Sequence, residues 1–263
     1  MGAGAQSERM LIDTHCHLTY AGLLENQPAV VHRAVQAGVA RMITVGTHPA
    51  DHPLALRAAE TFPEVFAALG IHPHHAAEVA ADFGTSLRAA LTAQRRVVAI
   101  GECGLDYHGH SAAAEVQKEV WLAQLQLAET LGKPVILHVR EAHADALAMW
   151  RDFPHLRGVV HCFSGTPQEA SRWIECGAYL GFTGIITYKN APEVRAACRL
   201  TPANRLLLET DAPYLSPQPV RKIKINEPAF VTHVANQVAL ERGITPERLG
   251  EITTQNAAEL FGI

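Results

Sequence analysis

Six side chains with metal-binding chemistry stand where short apolar runs end: His15, His17, Glu102, His138, His161 and Asp211. Each run reads as a β-strand, and such runs recur along the whole chain with helical patterns between them. Side chains at the C-terminal ends of strands in a closed parallel barrel converge on one mouth. Four imidazoles and two carboxylates gathered there would hold one or two divalent metals. An ion of that kind generates hydroxide near neutral pH, so these residues point to a hydrolase.

Position, more than residue type, carries this reading. At 15 histidines in 263 residues an HxH pair arises about once by chance, and the chain has three: His15/His17, His72/His74 and His108/His110. The first pair follows a strand, where alternation puts both imidazoles on one side. The last lies in a stretch with loop character and is expected to be inert. His72 ends a strand before Pro73 and is expected to line the mouth, against metal or substrate. Glu102 can bridge two cations, one on each oxygen; a helix cap or a salt bridge is its plainer alternative. His138 shares a strand face with Arg140, and a metal-binding imidazole beside a guanidinium suits a phosphoester. Asp211 can ligate a metal and also take a proton from bound water. Glu209, two residues earlier, is expected to support a histidine ligand from behind.

The elements that must position these residues follow from the same patterns. Strands are predicted over 10–13, 42–45, 65–70, 97–101, 134–138, 158–161, 178–182 and 206–210. Several are unbroken apolar runs, as strands covered on both faces require. Residues 114–131 read as a helix whose apolar stripe runs through Val116, Val120, Leu122, Leu125, Leu127 and Ala128. Strand and helix alternating eight times predict a single (β/α)8 TIM barrel, possible distortion included, over residues 10–263. Residues 1–9 read as a disordered extension or an expression remnant.

Composition narrows the function classes. Hydrophobic content of 48% and charge of 18% are globular values, and no apolar run approaches the roughly 18 residues of a membrane span. A cytoplasmic protein is expected, with no membrane association and no obligate protein partner. Five cysteines without CxxC spacing argue against a disulfide framework. Cys16, Cys103 and Cys162 each neighbour a proposed ligand, so alternation should turn their thiols into the layer between strands and helices. A net charge of −4 offers no global attraction for nucleic acid. Such a substrate would depend on metals and local cations, of which Arg221, Lys222 and Lys224 form the densest cluster. That cluster reads equally as a solvated loop.

Five segments in order, Asp13-Thr-His-Cys-His-Leu18, Gly101-Glu-Cys-Gly-Leu-Asp106, Pro134-Val-Ile-Leu-His-Val-Arg140, His161-Cys-Phe-Ser-Gly165 and Glu209-Thr-Asp-Ala-Pro-Tyr-Leu215, resemble the TatD family of metal-dependent hydrolases in the amidohydrolase-like superfamily. The resemblance implies a distorted TIM barrel and a magnesium-dependent deoxyribonuclease of 3′ to 5′ exonuclease character. It implies one metal on His15, His17 and Asp211, another on His138 and His161, and Glu102 bridging them. Two departures concern substrate contact. Residues 220–226 are less like the family's basic, Gly-containing loop, and Val139 replaces a small polar residue.

The expectation is therefore a phosphodiesterase acting on DNA through two divalent ions (Mg, Mn or Zn), with Asp211 and Glu102 catalytic. Substrate contacts are expected from Arg140, His72, Arg221, Lys222 and Lys224. Amide or ester cleavage, including deacylation of an aminoacyl-tRNA, would use the same centre. A non-catalytic metal-binding protein is the third reading.

Overall fold

The computed structural model describes residues 10–109 and 112–263; residues 1–9, His110 and Ser111 lie outside the described residues. Eight strands, β1 (Leu11–Cys16), β2 (Val39–Gly46), β3 (Val65–Leu69), β4 (Val97–Asp106), β5 (Val135–Arg140), β6 (Gly158–Val160), β7 (Tyr179–Phe182) and β8 (Leu206–Leu208), pair in parallel in sequence order. The helices between and after them are α1 (Gln27–Gln36), α2 (His52–Thr61), α3 (Phe83–Thr92), α4 (Ala114–Leu131), α5 (His143–Arg151), α6 (Pro167–Glu175), α7 (Pro192–Leu200), α8 (Val231–Arg242) and α9 (Pro246–Phe261). No described helix is long and apolar enough to cross a membrane.

Closure between β8 and β1 is irregular. β8 is three residues long, and past its end the chain meets β1 through a single bridge, Cys16 to Ala212. Buried side chains support the seam. Asp13 accepts hydrogen bonds from Thr210 N–H (2.9 Å) and Thr210 Oγ1 (2.6 Å), and Thr14 Oγ1 donates to Leu208 O (3.1 Å). Asp13→Ala would strand both Thr210 donors in a dry interior. We expect a loss of roughly 2–4 kcal/mol in stability, and less for Asn, which keeps an acceptor oxygen. Thermal unfolding of the two variants checks this; equal losses would mean that volume, not hydrogen bonding, matters at Asp13.

Strand alternation divides the core in two. Ile12, Ile43, Ala68, Ala99, Ile136, Val159 and Leu207 pack together with Ala257, Leu260 and Phe261 of α9. Their strand neighbours Leu11, Met42, Ala67, Ile100, Leu137, Val160 and Leu208 join helix residues that include Trp121, Trp150 and Trp173. At the opposite end from the mouth, Asn256 Nδ2 bonds Ala203 O and Leu206 O, and Thr254 Oγ1 bonds Met10 O. α9 thus holds the N-terminal ends of β1 and β8.

Helix α4 has the predicted span but a different buried face: Gln117, Val120, Trp121, Gln124, Leu125 and Ala128 are buried, while Leu122 is 40% exposed. The glutamines are buried because backbone groups at or just past the ends of two strands need partners. Gln124 bonds both N–H and C=O of Ile71, and Gln117 bonds both of Asp106. Cys16 and Cys103 lie in the outer layer as expected. Cys162 does not. It follows the end of β6 with φ of 46°, and the turned backbone places it along the mouth cavity.

Candidate metal centre

His15 is the penultimate residue of β1 and His17 lies one residue past the strand. The barrel's closure brings Asp211 to them: His17 N–H bonds Ala212 O (2.7 Å) and Asp211 N–H bonds His15 O (2.9 Å). Glu102 lies within β4, which runs four residues beyond it. The ladder to β5 is interrupted there by a register shift between Ile100 and Cys103. Gly104, at φ 148°, lets β4 approach β5; a Cβ at that position would lie 2.0 Å from His138 O. His138 is in β5, and His161 directly follows β6.

These six residues meet in one place. Glu102 Oε2 lies 3.4 Å from His15 Nε2 and 3.8 Å from His17 Nε2. Its other oxygen, Oε1, is 2.6 Å from both His138 Nδ1 and His161 Nε2. Asp211 Oδ1 is 3.4 Å from His17 Nε2 and 3.7 Å from His15 Nε2. One carboxylate therefore divides two sets of imidazoles, one on each oxygen.

Hydrogen bonding decides which imidazole atoms can take a cation. His17 Nδ1 faces Val45 O (3.2 Å), which only accepts, so Nδ1 carries hydrogen and Nε2 is left for the centre. His138 Nε2 donates to Asp106 Oδ2 (2.9 Å), which leaves Nδ1. His15 and His161 stack, with centroids 4.0 Å apart at 12°. His161 Nδ1 stands 3.5 Å from Glu209 Oε1, so its Nε2 faces Glu102. The paired donors of the His15 set lie 3.2–3.8 Å apart, close to the spacing of about 3.4 Å that two bonds of about 2.1 Å span at a tetrahedral centre. The two 2.6 Å contacts at Glu102 Oε1 are hydrogen bonds whose protons a cation would replace. The residues fit divalent ions.

Electrostatics agree with that chemistry. Burial disfavours charge on Glu102, yet His161, His72 and His15 hold its carboxyl well below the usual range. Asp211 is likewise lowered, burial being outweighed by His17 and His15. Burial opposes charge on His17, His138 and His161, but neighbouring carboxylates raise all three.

Asp106, which orients His138, was given no role by the sequence. Asp106 Oδ2 takes bonds from His138 and from His74 Nε2 (2.9 Å each), and Oδ1 accepts from His108 N–H (2.8 Å). Its carboxyl is held at about 2, the His138 bond outweighing burial. The signal was available: Glu102, Gly104 and Asp106 share one face of a strand that simply continues. Glu209 fits its expected place. It is fully buried beside His161, and Gly181 makes room, since a Cβ there would lie 2.4 Å from Glu209 Oε2.

A cavity of about 710 Å³ opens above the centre, lined by His72, Arg140, Tyr20 and Tyr214 among others. His72 Nδ1 accepts His74 N–H (3.1 Å), so its hydrogen sits on Nε2, facing Glu102 Oε1 at 3.5 Å. Burial lowers its pKa to about 4, which favours the neutral ring, and His72 forms with Glu102 and His138 a group that could hold a cation. Arg140 is exposed on the cavity wall. Arg221, Lys222 and Lys224 are exposed and are not among the cavity's lining residues; the Arg221 guanidinium lies 3.8 Å over the Tyr188 ring. At the rim, His48 Nδ1 accepts Ala50 N–H, and His48 Nε2 lies 3.7 Å from Glu78 Oε2.

Comparison with known proteins places this geometry. The sequence matches the family described as TatD related DNase over residues 12–262. The 3'-5' ssDNA/RNA exonuclease TatD of Pantoea vagans is 42% identical over 258 residues, covering 95% of this chain and 99% of its own. The uncharacterized metal-dependent hydrolase YabD of Bacillus subtilis is 38% identical, covering 97% and 100%. The crystal structure of YjjV, a TatD homologue from Escherichia coli K12, superposes with a TM-score of 0.91 at 32% identity, covering 96% and 98%.

Proposed function

The chain belongs to the TatD-related DNase family, and from that premise we propose that it removes nucleotides from the 3′ ends of single-stranded DNA by phosphodiester hydrolysis. One observation carries the reading: the two oxygens of Glu102 address two separate sets of imidazoles, the arrangement a bridging carboxylate needs. His15, His17 and Asp211 would hold one divalent ion with Glu102 Oε2, and His138 and His161 a second with Oε1. When bound, the ions supply Lewis acidity and lower the pKa of water. Asp211, ionised and 14% exposed towards the cavity, accepts the proton of the attacking water. Arg140 offsets charge on the non-bridging phosphate oxygens. His72, on the cavity wall 3.5 Å from Glu102 Oε1, contacts metal or substrate.

The test is direct. Protein reconstituted in turn with Mg, Mn and Zn is given end-labelled single-stranded DNA, an aminoacyl-tRNA and a generic phosphodiester. Stepwise shortening of the DNA from its 3′ end is expected. Deacylation alone, with the DNA intact, would replace phosphodiester hydrolysis by ester hydrolysis at the same centre.

Asp106 provides a second check. A carboxylate behind a histidine ligand sets its tautomer and raises its basicity, and losing such a partner costs about 10- to 100-fold in metal affinity. Asp106→Ala is expected to weaken one of two calorimetric binding steps by that factor and to leave the other alone. Asp106→Asn, which keeps an acceptor for His138, is expected to lose less. Unchanged affinity in both variants would detach Asp106 from the centre.

A further inference from the structure

We infer that Tyr214, backed by Tyr20, is a seat for the unpaired base of the nucleotide being removed; the inference rests on the nuclease reading above. Tyr214 is 52% exposed, a large aromatic ring left open on the cavity wall. Its backbone is not free to wander. Tyr214 N–H bonds Asp211 O (2.9 Å), and the buried Asn226 donates from Nδ2 to both Tyr214 O (2.6 Å) and Thr210 O (2.9 Å). The segment that presents Asp211 to the centre therefore also presents the Tyr214 ring, three residues later, on a rigid mount.

The surrounding rings show which surface is unused. Tyr20 lies flat on His17, with centroids 4.5 Å apart at 19°, and its hydroxyl is 2.8 Å from Thr47 Oγ1. Tyr214 stands nearly upright to both, 6.2 Å and 82° from Tyr20, and 6.3 Å and 70° from His17. Among the described residues no ring or guanidinium lies flat on Tyr214. Tyr188 and Tyr179, by contrast, are covered by Arg221 and Arg205. A rigid, half-exposed π-face this close to phosphate chemistry matches a stacking platform for a nucleobase, which accepts any base because every base has a π-face. A base within a duplex end is already paired and stacked, so the platform favours a free strand end.

Steady-state kinetics on two single-stranded oligonucleotides test this, one with a normal 3′-terminal nucleotide and one ending in a tetrahydrofuran abasic residue. Tyr214→Ala is expected to lower kcat/KM on the normal end by about 10- to 100-fold, chiefly through KM, with metal content unchanged. Tyr214→Phe keeps the π-face and should restore most of the loss. On the abasic end, unaltered protein and Tyr214→Ala should converge. An equal loss on both ends would overturn the inference in favour of a structural role, and so would no loss on either. Failure of the unaltered protein to cleave any oligonucleotide would overturn the nuclease reading as well, whereas cleavage indifferent to Tyr214→Ala would overturn this inference alone.

Discussion

Replacing Glu102 with Ala is expected to abolish hydrolysis, by more than about a thousandfold, while the barrel stays folded. Removing one contact that stabilises developing charge costs an enzyme about 10²–10³ in rate, and Glu102 would serve two ions at once. Its Oε1 contacts His138 and His161 and its Oε2 faces His15 and His17, so no neighbouring carboxylate can take over both sets. The fold should tolerate the loss, because the side chain borders the cavity rather than either apolar layer. The imidazoles can then become neutral, since the carboxylate that favours their protonation is gone. Glu102→Gln, of the same shape, should be nearly as inactive, because an amide cannot offer two anionic oxygens. Metal content, thermal unfolding and kcat/KM are measured together. Full activity with unchanged metal content would reduce Glu102 to a structural role.

Stripping the ions with a chelator is expected to remove activity reversibly and to lower the unfolding temperature by about 5–10 °C. One ion at a hundred times its dissociation constant stabilises a folded protein by about 2.7 kcal/mol. At this chain length each kcal/mol moves the midpoint by about 2–4 °C, so a shift of that size is the minimum expected, from the loss of one ion. The sign of the pH dependence follows from the site. His17, His138 and His161 are raised above the ordinary imidazole value of 6.5, so their contribution to the metal-free protein is full below that value. It is lost as pH rises through their folded values. Glu102 and Asp211 are lowered, so theirs is present above the ordinary carboxylate range and lost as pH falls through their folded values. Ions must displace the imidazole protons, and the gain in unfolding temperature on adding metal should therefore be larger at pH 8 than at pH 6. Calorimetric titration in buffers of different ionisation enthalpy should register proton release on binding. Activity that survives exhaustive chelation, with an unmoved midpoint, would end the metal-dependent account.

What the chain determines by itself is local. Period-two alternation places His15 with His17 and His138 with Arg140, because strand geometry depends only on neighbouring residues. Apolar runs broken by helical patterns likewise require a parallel barrel, and a barrel gathers its strand ends at one mouth. Glu102 was legible as a carboxylate able to bridge two cations, but its pairing with particular histidines was not. Which oxygen meets which histidine depends on the register shift and the close approach of β4 to β5. The tautomers were beyond reach for the same reason. His138 is oriented by Asp106, 32 residues away, and His17 by Val45, 28 away. Tyr214 looked like any residue of a loop after a strand; its exposure and its mount depend on the buried amide of Asn226. Cys162 left its expected face because β6 ends two residues before it, and alternation stops where pairing stops. Residue types and strand periods are written along the chain, whereas hydrogen-bond direction and ring exposure are relations between distant segments that exist only once the barrel has closed.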